Sequence, residues 1–290
     1  MPRGVPKAGF RKTKNSLTKN VQAVTQFTAP VKAVVFETDE QITKKLEERF
    51  NALDKMSNAT LQGVNRSLIV SGPAGLGKSF SVMKAAEEYS ENGHEVVVIK
   101  GFVRPTGLYK VLYENRHPHC VVIFDDADSI FTDDISMNIL KGACDMTEKR
   151  TLHWLAETKM EDEDGDRLPR SFDFEGSIIF ITNYDFDYMI EKGTRLAPHF
   201  QALISRSIYL DLEMKTVRDY MMRIKQVLPI MVKDQGLTVA EGYQLEKFIE
   251  TNCERLRELS LRMVVKLATL MKMDRRGWEQ MARVTCFKNK

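Results

Sequence analysis

Ser67-Leu68-Ile69-Val70-Ser71-Gly72-Pro73-Ala74-Gly75-Leu76-Gly77-Lys78-Ser79 is the stretch that decides the fold of this 290-residue chain. Its first five residues read as a short buried strand. From Gly72 onward they match the pattern G-x-x-x-x-G-K-[ST]. Glycines at 72, 75 and 77 let the backbone curl so that several N–H groups point into one cavity. The positive end of a helix starting at Lys78 adds its field to theirs. Residues Gly72 to Ser79, with Phe80 next in line, are therefore the expected cradle of a nucleotide's phosphates. In such a loop Lys78 reaches the β- and γ-phosphates and the Ser79 hydroxyl coordinates Mg2+. A plain glycine turn with a surface lysine is the rival reading, but it leaves the strand before and the helix after unexplained.

The pattern repeats outward from this loop. Strands are predicted over 95–99, 120–124, 177–182 and 207–212, with helices over 78–92, 107–116 and 136–147 between them. The first four strands are apolar on both faces and rich in β-branched residues, as when helices cover both sides of a parallel sheet. Ahead of them, Ile42, Leu46, Phe50 and Leu53 recur at helical spacing behind Thr38 or Asp39 as cap. After Leu212 the strand signal vanishes, and amphipathic helices are predicted over 217–232, 239–253, 259–273 and 276–284. The expected fold is a three-layer α/β core with a five-stranded parallel sheet, followed by an all-α C-terminal lid. The expected divisions are a basic flexible arm over 1–33, the α/β domain over 34–212 and the lid over 213–290.

Cys120-Val121-Val122-Ile123-Phe124-Asp125-Asp126 is a buried strand ending in two carboxylates. In a parallel sheet that end lies on the same edge as the phosphate loop. Asp125 is placed to hold Mg2+ through water, and Asp126 to orient or deprotonate an attacking water. Asp128 is either a further acid in the turn or, as preferred here, the cap of the next helix.

Together with Thr182-Asn183 at the end of the fourth main strand, these residues resemble the AAA+ ATPases. The resemblance covers about residues 38–275. It implies that Asn183, in the sensor 1 place, positions the lytic water; a turn shared with Asp185 is its plain alternative. Ala202-Leu203-Ile204-Ser205-Arg206 resembles the Ser-Arg segment of clamp loaders, which implies that Arg206 reaches a neighbouring subunit's γ-phosphate. Arg195 is the reserve for that role. Leu259-Ser260-Leu261-Arg262 opens a lid helix as the family's sensor 2 does, implying that Arg262 stands over the nucleotide in cis. The family usually has Glu where this chain has Asp126, one methylene shorter, which implies slower hydrolysis or a differently placed water. The compact plan also resembles AAA+ ATPases carried by bacteriophages, and the collar domain of a clamp loader is not expected.

Two insertions bear on a substrate. Lys100-Gly101-Phe102-Val103-Arg104-Pro105 follows the second strand, where ring-forming relatives face a central pore; Lys100 and Phe102 are candidates for gripping a polymer, and Phe102 as a buried cap is the equal alternative. Residues 151–154 and 171–174 flank the acidic turn 161–167 and are expected to pair as a hairpin. His117-Pro118-His119-Cys120 reads as a strand entry and not a metal site, and the lid methionines as core packing.

Charge is uneven along the chain: +7 over 1–36, −9 over 37–210 and +5 over 211–290, for a net +3. The basic arm reads equally as a solubilising tail or as a contact for nucleic acid. A faint transit-peptide character is countered by Pro2, Pro6 and Gly9. No apolar run approaches the roughly 18 residues of a membrane span. Four scattered cysteines without a CxxC pair argue for a reducing, cytoplasmic setting. The expectation is a Mg2+-dependent ATP hydrolase working as a homo-oligomer, a hexameric ring, and remodelling or loading onto nucleic acid. The alternatives are a protein remodeller and a nucleotide-gated assembly switch.

Overall fold

Thr38 opens the first helix. Its hydroxyl accepts from the Gln41 amide at 3.3 Å, and the Gln41 side chain accepts from the Thr38 amide at 2.8 Å, a reciprocal cap. The computed structural model describes residues 37–157, 160–161 and 165–288, so the basic arm and residues 162–164 of the acidic turn lie outside the described residues. Helix α1 (Asp39–Leu61) buries Ile42, Leu46, Phe50 and Leu53 along one stripe. There follow β1 (Ser67–Ser71), α2 (Lys78–Glu91), β2 (Val96–Lys100), α3 (Pro105–Glu114), β3 (Val121–Asp125), a 3-10 turn (Asp128–Phe131) and α4 (Asp134–Ala143). Then come β4 (Thr151–His153), β5 (Ser171–Asp173), β6 (Ser177–Ile181), α5 (Phe186–Glu191), α6 (Ala197–Ile204) and β7 (Ile208–Asp211). Helices α7 (Val217–Asp234), α8 (Val239–Asn252), α9 (Leu261–Met273) and α10 (Trp278–Thr285) close the chain.

Five strands form one parallel sheet in the order β2-β3-β6-β1-β7. Alternate residues feed opposite faces, the two-residue period of extended chain. Leu68, Val70, Val121, Ile123, Ile179 and Ile181 pack under α1 and α2. Ile69, Val122, Phe124, Ile178 and Phe180 pack against α3, α4 and α6 on the other side. Each such buried side chain is worth about 1.5–3 kcal/mol over leaving it in water. The hairpin forms as expected, β4 antiparallel to β5 with Leu152 opposite Phe172. Arg150 anchors it, donating to the Ala143 and Gly176 carbonyls at 2.7 and 2.8 Å.

Two details differ from the sequence pattern. Strands β2 and β3 each sit one residue later than their apolar runs, so Lys100 and Asp125 are their last residues and pair in register. The chain there stays extended because ladder hydrogen bonds outweigh the polar character of the end residue. Helices α5 and α6 are absent from the sequence pattern, being too short to show a period.

The four C-terminal helices enclose their own core of Ile224, Leu228, Leu245, Ile249, Leu267 and Trp278. Met221, Met263 and Met271 are buried in it, while Met273 is exposed. The lid meets the rest of the chain at identifiable points. Arg49 Nη1 donates to the Glu213 carbonyl at 2.6 Å, and Gln226 Nε2 to the Thr43 carbonyl at 2.9 Å. The Leu261 amide donates to the Gly75 carbonyl at 2.8 Å. No helix among the described residues is long and apolar enough to cross a membrane.

Candidate nucleotide-binding site

The loop between β1 and α2 owes its shape to glycine. Gly77 caps α2 in the left-handed region at φ 94°, and Gly75 sits at φ 77°. These are conformations that a side chain penalises by roughly 1–2 kcal/mol per residue. A Cβ on Gly75 would also stand 2.8 Å from the Cβ of Ser260, so the lid rests directly on the loop.

Lys78 is 5% exposed and turns back over its own loop. Its ammonium donates to the carbonyl of Gly72, to that of Pro73 at 2.9 Å and to Asn183 Oδ1 at 3.0 Å. Burial lowers its pKa to about 8; Asp126 opposes that shift, and Arg262 adds to it. An anion held among the loop amides would restore the full charge.

The strand ends meet beside it. Ser79 Oγ donates to Asp125 Oδ1 at 2.7 Å. A hydroxyl and a carboxylate oxygen held together at the foot of the phosphate loop are hard donors of the kind Mg2+ prefers. Asp126 lies in the left-handed region at φ 54°, its amide bonded to the Ile181 carbonyl at 3.1 Å. For a residue other than glycine that is a strained posture, and it fits a group being aimed. Its Oδ1 accepts from Asn183 Nδ2 at 2.9 Å. Lys78, Asn183 and Asp126 therefore form one continuous chain of hydrogen bonds. Asp185, the alternative partner for Asn183, instead caps α5 through the Tyr188 amide.

Two expectations are corrected here. Asp128 does not cap the next helix, because Asp133 does so through the Ile135 and Ser136 amides. Asp128 accepts from Thr182 Oγ1 at 2.6 Å, with its pKa raised by burial, and so steadies the segment carrying Asn183. Lys100 remains exposed, with its ammonium 2.8 Å from Asp125 Oδ2. Phe102 is not a buried cap; it stands 77% exposed after Gly101.

A cleft of about 430 Å3 joins loop and lid, within the usual range for a small-molecule site. Ala74, Gly75, Gly77, Lys78, Ser79, Phe80, Asp126, Asn183 and Arg262 all line it. Arg262 Cγ lies 3.6 Å from where a Cβ on Gly75 would stand. Val227, Ile230, Met231 and Val265 form its apolar wall, and Arg223 faces Gly77. None of these five stood out in the sequence, where they are ordinary positions on amphipathic helices. Arg206 is not in the cleft. It precedes β7 at the opposite end of the sheet, and its Nη1 donates to the Ala202 carbonyl at 2.9 Å. Arg195 is bound to Asp134 at 2.5 Å.

Five parallel strands between helical layers, a phosphate loop at the end of a central strand and a helical lid closing over it make this an AAA+ P-loop ATPase fold. Within that class the chain belongs to the family of an uncharacterised 36.7 kDa protein from the nrdC–mobD intergenic region of Enterobacteria phage T4. The two are 39% identical over 251 residues, 86% of this chain and 76% of the phage protein. No family model matches the sequence. Similar solved structures include a Thermotoga maritima RuvB mutant, at 15% identity and TM-score 0.45 over 86% of this chain and 73% of that one. NtrX from Brucella abortus gives 12% and 0.48 over 83% and 52%. The replication initiator DnaA gives 13% and 0.47 over 80% and 63%.

Proposed function

We propose that the chain is a Mg2+-dependent ATP hydrolase whose sites are completed between subunits of a homo-oligomeric, hexameric ring, with the α/β domain ending near residue 212 and the lid following. The observation that carries this reading is the meeting of Ser79 with Asp125 at 2.7 Å beside the Lys78–Asn183–Asp126 chain. Lys78 and the loop amides neutralise the phosphates. Ser79 and Asp125 would hold the Mg2+, which when bound offsets charge on the β- and γ-phosphate oxygens. Asp126, held by Asn183, takes the proton of the attacking water or orients it. Arg262 reads the nucleotide from the lid in cis. Arg206 acts on the site of a neighbouring copy, because it lies at the wrong end of its own sheet to reach its own loop.

The work done is remodelling of, or loading onto, nucleic acid, supported by the +7 charge of residues 1–36 and the +5 charge of the C-terminal third. A second reading, a protein remodeller, is favoured by Phe102, an exposed aromatic on the loop after β2. An ATPase assay across a protein concentration series, with and without single- and double-stranded DNA, tests both levels. Turnover per subunit that rises with concentration and is stimulated by DNA, with steep salt dependence, is expected. Stimulation by a polypeptide and loss with Phe102→Ala would transfer the proposal to the second reading. A rate independent of concentration would remove the shared site.

A further inference from the structure

The lid carries a second arginine whose surroundings are unlike those of an ordinary helix-surface cation. Arg223 on α7 is half-buried, with its guanidinium carbon 3.2 Å from the centre of the Phe50 ring. Its Nε donates to the Leu76 carbonyl at 3.3 Å, and its Nη2 lies 3.6 Å from where a Cβ on Gly77 would stand. Among the described residues no carboxylate forms an ion pair with it, and its two terminal nitrogens have no hydrogen-bond partner. A guanidinium has five N–H donors in a planar fork, of which this one uses a single donor on a carbonyl. Burial lowers its pKa to about 10, with only Asp54 opposing. Asp54 offsets this partly desolvated cation without pairing to it, so an anionic ligand within reach of its terminal nitrogens would complete the compensation.

Its placement says which ligand. Leu76 and Gly77 lead into the first turn of α2, where amides and helix field favour anions. Arg262 stands instead over Gly75, at the crest of the loop. The stacking on Phe50 fixes the plane of the guanidinium and leaves its terminal nitrogens toward the cleft, a geometry suited to bidentate contact with phosphate oxygens.

We propose that Arg223 is a nucleotide-binding residue that contacts the phosphates nearest the sugar, those common to ADP and ATP, while Arg262 serves the terminal phosphate. This rests on the cleft being the nucleotide site. It adds a consequence for the fold: the same guanidinium touches α1, the loop and the lid, so bound nucleotide would tie all three.

The test is titration of Mg-ATP and Mg-ADP into the full-length wild type, Arg223→Gln, Arg223→Lys and Arg262→Gln, with melting temperature measured for each without nucleotide. Arg223→Gln is expected to weaken ATP and ADP equally, by about ten- to a hundredfold, with the nucleotide-free melting temperature unchanged or raised. Arg223→Lys should recover part of the loss, and Arg262→Gln should weaken ATP more than ADP. If Arg223 only braces α7 against Phe50, Arg223→Gln will melt lower and bind both nucleotides with wild-type affinity. That result overturns the proposal while leaving the cleft's role intact. A wild type that binds neither nucleotide would instead remove the reading on which the proposal stands.

Discussion

Lys78 illustrates how a single side chain links burial to ligand binding. With its pKa lowered to about 8, it is charged at neutral pH and progressively neutral above. Phosphate favours the ammonium, so binding above pH 8 must take up a proton. ATP affinity should hold constant below about pH 7 and weaken as pH climbs past 8. Calorimetry at pH 9 in buffers of different ionisation enthalpy should register the uptake; none at all would contradict a buried, depressed lysine. Asp126 makes the complementary case. Asparagine tolerates its left-handed backbone and keeps an oxygen for Asn183, but cannot take a proton. Asp126→Asn should therefore bind ATP as the wild type does and turn over at least about a hundredfold more slowly. Stability should move by no more than about 0.5 kcal/mol, as for other exposed substitutions. Unchanged turnover would move the chain toward a nucleotide-gated switch.

Between elements, the decisive contact is that of the phosphate loop with the start of α9. The Leu261 amide reaches the Gly75 carbonyl, and Ser260, whose hydroxyl caps α9 through the Met263 amide, packs on Gly75 itself. Gly75→Ala would force a methyl into that contact and strain φ 77° at once. It should cost about 1–3 kcal/mol in a urea melt and weaken nucleotide binding by displacing the lid. A variant that melts like the wild type would show that lid and loop are not in contact in solution. The joint explains what was legible. Each partner, the glycine pattern and the capped helix, is visible in sequence. Their contact spans some 185 residues of chain and has no local signature. The same holds for Lys100 and Asp125, which meet because β2 and β3 both extend one residue beyond their apolar runs.

At the scale of the whole molecule, the position of Arg206 matters most. Asp211 pairs with Ser71, just before the loop, and β7 runs from it back to Ile208 over roughly 10 Å, with Arg206 in the turn beyond that far end. Arg206 has no route to the nucleotide of its own chain. Arg206→Ala alone should bind ATP normally and lose about a thousandfold in turnover. Mixed with Lys78→Ala, which binds poorly but keeps its arginine, it should regain activity at interfaces that pair an intact loop with an intact arginine. Failure of the mixture to exceed either variant would leave Arg206 a local brace for the α6 carbonyls.

The main strands and their intervening helices apart from α5 and α6, the phosphate loop, the paired acids and the lid's amphipathic helices were set by sequence alone, because each depends on neighbours within a few residues: period, cap, glycine, apolar run. Tertiary structure decided what Lys78 bonds to, where Asp126 points, why Asp128 serves Thr182 instead of a helix end, and that α7 contributes Arg223 to the cleft. These depend on which distant elements share a sheet edge or a buried face, and packing settles that only once the whole chain has closed.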